Sequence, residues 1–364
     1  MESQTPLTIS AEYGLIDQNK FFGKRIAAKD LSNYYLIQKG EFAYNKSTSN
    51  DAPWGAIKRL DCYNNGALST LYIVFKIKDN KSCYSDFLVT YYGTSLWHKG
   101  VKEIATEGAR NHGLLNISPS DFFRTKLVIP QDFEEQRKIG AFFTQLDNTI
   151  TLQQRKLNSL QKLKKGILQK MFPKKGENII EIRFPEFSDA WKQRKLGEII
   201  DYSNGIGHEN YVLPQGKYEL VTLKSINSSG KLVCSEKFVN EDFETLKAET
   251  LIMMLSEQAK GMLGMTTIIP CDNKYVLNQR VAALKAHNDV EVHFLTNAIN
   301  NKQNYFEQMG AGTKVQNITR GHVEECVIEL PSLEEQKKIG SLFSKLEVTI
   351  TLQQRWLFYT HKQS

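Results

Sequence analysis

The sequence predicts an α+β chain in which two mixed α/β domains alternate with two long helices that form a coiled coil. Three observations predict it. A 24-residue segment occurs twice without a gap, at 134–157 (EEQRKIGAFFTQLDNTITLQQRKL) and, 200 positions later, at 334–357 (EEQKKIGSLFSKLEVTITLQQRWL), with 16 identities. Apolar residues within it recur on an alternating 4-3 spacing, the mark of a coiled-coil helix. The chain ahead of each copy reads instead as short β-branched and aromatic runs broken by turn residues. A repeat of this length implies two copies of one structural unit.

In chain order, residues 1–130 form the first mixed domain. YYLI (34–37), EFAYN (41–45) and LYIVFKI (71–77) read as strands, with KSTSNDAPWG (46–55) and CYNNG (62–66) as turn material. FLVTYYGTSLWHKGV (87–101) is ambiguous and compatible with helix. After the linker-like GARNHGLLNIS (108–118), KLVIP (126–130) reads as a strand leading into the first long helix.

That helix, 131–173, carries its seam on Ile139, Phe143, Leu146, Ile150, Gln153, Leu157, Leu160 and Ile167, continued through Lys164 and Met171. The second, 332–364, repeats it with Ile339, Phe343, Leu346, Ile350, Gln353 and Leu357. Two matching seams in one chain favour each other as partners, and a glutamine at equivalent places in each supplies a polar layer that fixes register. Each helix opens on a capping box, Asp132 with Glu135 and Ser332 with Glu335. There the first side chain takes a free amide and the glutamate reaches back. A helix from 132 to 172 is about 60 Å long.

Residues 174–331 hold a Pro/Gly/Lys hinge around FPKKGENI (172–179) and the second mixed domain. YELVTLKSI (218–226), KAETLIMML (247–255) and VAALKA (281–286) read as strands, and VEVHFLTNAINNKQNYFEQMG (290–310) as an amphipathic helix. GAGTKVQNIT (310–319) and CVIELP (326–331) then take the places of GARNHGLLNIS and KLVIP.

The formal net charge is +7. No acidic residue occurs between Asn148 and Gly176, where Arg155, Lys156, Lys162, Lys164, Lys165, Lys170, Lys174 and Lys175 are gathered. Such a face suits an anionic partner, nucleic acid first, and equally serves solubility. Five dispersed cysteines with no CxxC pair argue for reduced thiols rather than zinc or disulfides. No apolar run is long enough for a bilayer, and MESQTPLTIS has no apolar signal core, so a cytoplasmic protein without membrane contact is expected.

The paired P-x(2,3)-EEQ-[RK]-KIG openings at 130–140 and 331–340 form a specific combination with several other features. These are TITLQQR at 149–155 and 349–355, LQKLKKGILQKMFP at 160–173, W-x4-LGE at 191–198, and NIS (116–118) and NIT (317–319) ahead of the helices. On these residues the chain resembles, over nearly its whole length, the specificity subunits of type I restriction–modification systems. The resemblance implies two target-recognition domains, each reading half of a split sequence in double-stranded DNA, and helices that pair antiparallel as a ruler and dock two modification subunits. It implies a non-catalytic subunit within a complex having type I site-specific deoxyribonuclease and adenine-N6 methyltransferase activity. S-adenosylmethionine, ATP and Mg are then expected on the modification and restriction (motor) subunits, and no cofactor on this chain.

The sequence departs from the family pattern in two places. W-x4-LGE is missing from the first domain, and after TLQQRWL the chain runs only FYTHKQS. A chain shortened at both ends is therefore expected. It leaves open a silent or recombination-donor allele, a recognition fragment of a fused restriction–methylation enzyme, and a coiled-coil protein that binds no DNA.

No glycine-rich cofactor loop, NPPY-type tetrapeptide or G-x4-GK[ST] phosphate loop is present. By residue type and loop position, the candidate DNA contacts in the first domain are Lys46, Ser47, Ser49, Asn50, Arg110 and Asn111. In the second they are Gln258, Lys260, Gln279, Arg280, Thr313 and Lys314, with GAGTK (310–314) the foremost stretch. Arginine opposite guanine and Asn or Gln opposite adenine would be the specific contacts.

Overall fold

The computed structural model describes residues 5–10, 14–28, 30–50, 52–105, 113–173, 180–257, 261–312 and 315–363, the side chains of 361–363 excepted. The chain divides into two compact units, Met1–Leu152 and Gln153–Ser364, and the division falls inside the first long helix.

The first unit contains β1 (Leu7–Ser10), β2 (Gly14–Asp17), α1 (Gln18–Phe22), β3 (Tyr35–Gln38), β4 (Phe42–Asn45), β5 (Ala56–Arg59), β6 (Asn65–Leu68) and β7 (Tyr72–Phe75). Helices α2 (Ser85–Gly93), α3 (His98–Ile104) and α4 (Pro119–Phe122) follow, and then α5 (Phe133–Met171). β4 is the centre of a three-stranded antiparallel sheet, ordered β5-β4-β7. Phe42 and Tyr44 are fully buried beneath Trp97, Tyr92 and Phe122 of the helical layer. Arg59 ties this layer to the sheet, since its guanidinium reaches Asp86, in the first turn of α2, at 2.6 Å and Asp61 at 2.7 Å.

The second unit contains β8 (Lys192–Lys195), β9 (Ile200–Asn204), β10 (Tyr218–Val221), β11 (Phe238–Val239), β12 (Leu251–Met254), β13 (Ser256–Glu257), β14 (Thr266–Ile268), β15 (Tyr275–Leu277) and β16 (Val281–Ala286). It continues with α6 (Val292–Asn300), α7 (Gln303–Met309), β17 (Gln316–Asn317), α8 (Arg320–Glu324), β18 (Val327–Leu330) and α9 (Leu333–Gln363). The main sheet is ordered β14-β12-β16-β9 and is antiparallel throughout. β12 is buried on all four residues, as its unbroken apolar sequence LIMM demands. The largest core lies between this sheet, α6 and α9, with Phe294, Phe306 and Phe343 enclosed.

Three local expectations are corrected. Residues 290–310 form two helices, because the chain turns at Asn301–Lys302. Asn300 ends α6 by turning its side chain to Thr266, accepting from its amide at 2.8 Å and donating to its carbonyl at 2.9 Å. KLVIP (126–130) is not a strand, whereas CVIELP is: β18 pairs with β8, the strand that follows Trp191. The first unit has no counterpart of β8 to pair with KLVIP among its described residues. The capping boxes are half made. Asp132 accepts from the Glu134 amide at 2.9 Å and Ser332 from the Glu335 amide at 3.4 Å. Glu335 does not reach back. It is buried in a bidentate pair with Arg183, both contacts at 2.8 Å, which fastens the post-hinge segment to the start of α9.

Candidate nucleic-acid interface and helix joints

The repeated EEQ-[RK]-KIG motif forms the same joint in each unit. Gln136 is buried on α5, accepts from the Tyr84 amide at 2.8 Å, and donates to the carbonyls of Pro130 (2.8 Å) and Ser82 (3.1 Å). On α9 the buried Gln336 accepts from the Glu291 amide at 2.9 Å and donates to the carbonyls of Pro331 (3.0 Å) and Asp289 (3.3 Å). Tyr84 and Glu291 are the N-cap residues of α2 and α6. Each glutamine thus satisfies the entry of the neighbouring helix, where backbone groups lack intrahelical partners. One turn on, Gly140 and Gly340 give the approach room. A Cβ would stand 2.6 Å from the Phe87 amide nitrogen at the first and 2.0 Å from Glu291 Oε2 at the second. Ile139 and Ile339 pack into the cores of their own units. The motif was legible as a helix start, but its role as a clamp was not.

Within the second unit, the end of α5 runs antiparallel to α9. Gln353 Nε2 donates to Gln153 Oε1 at 2.7 Å, Lys164 pairs with Glu347, and Phe172 lies 6.3 Å from Phe343. Of the seam positions in this unit, Leu157, Ile339, Phe343, Ile350 and Leu357 are buried, while Gln153, Leu160, Ile167, Leu346 and Gln353 are half-buried. In the first unit Ile139, Leu146 and Ile150 are half-buried and Phe143 is exposed. Lys231, from the turn after β10, also reaches Glu347 at 2.9 Å and Thr351 at 3.0 Å, tying that turn to α9. Burial alone would raise the Glu347 pKa, but hydrogen bonds from Lys164 and Lys231 outweigh it and hold the carboxyl below its usual range. Lys231 was not singled out from sequence, since no local signal marks a lone turn lysine. Of the basic residues on α5, Arg155, Lys156, Lys162 and Lys165 are exposed.

Of the candidate DNA contacts of the second unit, Gln279 and Arg280 lie in a turn at one end of the main sheet. Segment 204–211, the turn 278–280, β13 and β17 are joined there by hydrogen bonds. The His208 amide donates to Asn278 Oδ1 at 3.0 Å, the Leu255 amide to Arg280 O at 3.0 Å and the Ile318 amide to Leu255 O at 2.9 Å, while β13 pairs with β17. Gln258, Lys260, Thr313 and Lys314 fall outside the described residues, but β13 and β17 beside them are in register. Gln279 is exposed and donates to Glu209. Arg280 is exposed, its guanidinium has no partner among the described residues, and its φ of 65° lies in the left-handed region. A non-glycine residue there is strained by roughly 1 kcal/mol or more. Glu257 is buried and accepts from the amides of Met262 and Leu263, the latter at 2.9 Å, which ties β13 to residues 262–263. Sequence reading did not single it out.

In the first unit the loop after β4 lies against residues 113–117. The Thr48 amide donates to Gly113 O at 2.6 Å and the Leu115 amide to Lys46 O at 2.9 Å. Ser47, Ser49 and Asn50 are exposed. Lys46 is half-buried and donates to the Ile117 carbonyl at 3.2 Å, so its ammonium is engaged within the fold. Arg110 and Asn111 lie outside the described residues.

Among the described residues no group of three or more His, Cys, Asp or Glu side chains is placed to hold a metal ion. No described helix is long and apolar enough to cross a membrane.

A family model described as the type I restriction modification DNA specificity domain matches residues 21–162 and 188–357. Among curated proteins, the chain is similar to the type I restriction enzyme MjaVIII specificity subunit of Methanocaldococcus jannaschii. The two are 21% identical over 292 residues, 76% of this chain and 67% of that protein. It is also similar to the putative type I restriction enzyme MjaX specificity subunit of the same organism, 22% identical over 294 residues, 77% of this chain and 65% of that protein. The chain therefore spans about two thirds of the length of these relatives. Among solved structures it resembles the type I restriction-modification system S subunit from M. genitalium, with a TM-score of 0.60 and 15% identity, covering 90% of this chain and 81% of that one. It also resembles a chain from a structure on complex assembly and conformational transition of the type I R-M system. There the TM-score is 0.52 at 15% identity, covering 93% and 81%. At such identity the likeness concerns the fold.

Proposed function

Because the chain belongs to the type I restriction modification DNA specificity family, we propose that it reads a split sequence in double-stranded DNA without catalysing a reaction itself. Each unit contacts one half-site through its loop cluster, and the paired helices hold the spacing and dock modification subunits. The motor subunits join through that complex, and S-adenosylmethionine, ATP and Mg act on those partners. The observation that carries this reading is the duplicated joint. Two units, each with a polar loop cluster, are clamped by the same glutamine and glycine to helices of one repeated sequence. Linkage of two weak half-site contacts in one chain multiplies their affinities through effective concentration. Exposed cations on the helix and Arg280 supply phosphate and base contacts.

The test is a methylome. The chain is expressed with a cognate modification subunit in a methylation-free host, and N6-methyladenine is mapped. A split asymmetric motif is expected. A symmetric motif would assign all reading to one unit, and absence of methylation with all subunits present would overturn the active-subunit reading.

A further inference from the structure

The stretch NGIGHEN (204–210) and the turn 278–280 are bound into one double turn at the end of the main sheet. The Gly205 amide donates to Val281 O at 3.1 Å, Ile206 bridges to Asn278 in parallel, and the His208 amide donates to Asn278 Oδ1 at 3.0 Å. On the other flank the Asn278 amide donates to Val221 O and the Leu255 amide to Arg280 O, both at 3.0 Å. The two glycines permit the approach. A Cβ at Gly205 would stand 1.9 Å from Asn278 O, and one at Gly207 2.7 Å from Glu209 Oε2. A backbone tied on both flanks holds the side chains it carries in fixed places, as base reading requires.

Glu209 is the unexpected member of this double turn, because a carboxylate repels phosphate. Its Oε1 accepts from the Gln279 side-chain amide and from Asn278 Nδ2, the latter at 3.3 Å. Hydrogen bonds from its own backbone amide and from Gln279 hold the Glu209 carboxyl below its usual range. Near neutral pH it therefore carries no proton and can only accept. An acceptor-only partner decides which way round the Gln279 amide stands. Its NH2 faces Glu209, and its Oε1 has no partner among the described residues. Gln279 is exposed, beside the exposed Ile206 and Arg280. Oε1 and the second N–H of such an amide match the N6 donor and N7 acceptor of adenine. The guanine edge offers two acceptors, and a locked amide meets one of them with its own oxygen.

We propose that Glu209 is a positioning residue for sequence reading: it holds Gln279 in the orientation that selects adenine at one position of the half-site of the second unit. The inference rests on the reading of this chain as a DNA-specificity subunit, and goes beyond it by assigning one base to one side chain and a purpose to an acid at the interface. The acid weakens binding to every DNA and sharpens selection at one base pair, which is how an unfavourable group can serve specificity. Arg280, next in the turn and without a guanidinium partner among the described residues, supplies the opposite charge that draws the phosphate backbone in.

The experiment expresses the parent, Gln279→Ala, Gln279→Arg and Glu209→Gln with a cognate modification subunit in a methylation-free host and maps N6-methyladenine for each. Gel shifts of the purified complexes then use two duplexes, one carrying the parent motif and one of unrelated sequence. Gln279→Ala should relax a single A·T position of the parent motif to any base. Gln279→Arg, which Glu209 can hold as an ion pair, should convert that position to G·C. Glu209→Gln can donate as well as accept, so it should relax the same position and no other, while binding to the unrelated duplex tightens by about twofold or more at low salt. A merely structural role for Glu209 would instead weaken binding to both duplexes alike, and that result overturns the proposal. So does a motif left unchanged by Gln279→Ala or by Glu209→Gln, a relaxed position that is G·C in the parent, or loss of all methylation in either variant. A parent chain that methylates nothing takes down the specificity reading and this assignment together, whereas a parent motif that the variants leave intact takes down the assignment alone.

Discussion

Gln353 donates its side-chain amide to Gln153 at 2.7 Å, so one residue of the repeat, taken from its two copies, meets itself across the helix pair. Antiparallel helices of like sequence can bring equivalent residues together only where the pair has local two-fold character. A pair of glutamines from equivalent seam positions marks that place.

Replacing both glutamines by leucine should leave the helix pair as stable or more so, while either single change should cost about 1 kcal/mol. A double-mutant cycle in chemical denaturation measures the coupling, expected at roughly 0.5–1.5 kcal/mol. Additive single effects would mean that the contact contributes nothing.

The Gln336 clamp should be worth more than a surface hydrogen bond. Gln336→Ala leaves the Glu291 amide and two carbonyls unpaired in a buried site, so the second unit should lose about 2–3 kcal/mol. The exposed Gln354→Ala serves as control and should stay within about 0.5 kcal/mol of the parent in denaturant titrations.

Two helix glycines should respond oppositely to alanine. At Gly340 a Cβ would collide with the Glu291 carboxylate that caps α6, and destabilisation of about 1–3 kcal/mol is expected. At Gly166 nothing lies within 4 Å, and Gly166→Ala should stabilise by about 0.5–1 kcal/mol through helix propensity alone. Thermal melts of the two variants show the sign directly.

Glu347 should make the stability of the second unit acid-sensitive. Its carboxyl is held below the ordinary value of 4.5 in the folded chain. The stability it contributes is therefore fully present above that value and is lost as pH falls through the lower folded pKa. The difference in denaturation midpoint between the parent and Glu347→Gln should be constant from pH 7 to about 5 and shrink below. A difference that persists undiminished to pH 3 would contradict this.

Arg280 should show opposite effects on fold and on binding. Arg280→Gly removes a strained left-handed residue and should stabilise the fold by up to about 1 kcal/mol. If the residue contacts phosphate, the same change weakens DNA binding and lowers the slope of log affinity against log salt by about 1. Gel shifts at several salt concentrations, paired with melts, separate the two.

The helical repeat, and with it the α+β plan, was legible in the sequence because a coiled-coil seam is a local, periodic signal. Pairing was not local. KLVIP and CVIELP carry the same strand propensity, yet only the second is a strand, because β8 lies beside it. Likewise Glu335 has the spacing of a capping residue, but Arg183, 152 positions earlier, takes its carboxylate. The loop candidates were found only by residue type. That test cannot tell Arg280, whose head group is unengaged among the described residues, from Lys46, which is consumed by the Ile117 carbonyl.

The joints impose almost no demand on what they hold. Gln136 and Gln336 hydrogen-bond main-chain amides and carbonyls, Gly140 faces the backbone at Asp86–Phe87, and Gly340 faces the Glu291 carboxylate that caps α6. A module presenting a helix entry with that backbone shape meets most of what the socket asks for, with few demands on its side chains. Recognition units are in this sense interchangeable cartridges. A crossover within the repeated helix sequence can exchange one for another and alter what is read without disturbing how it is mounted.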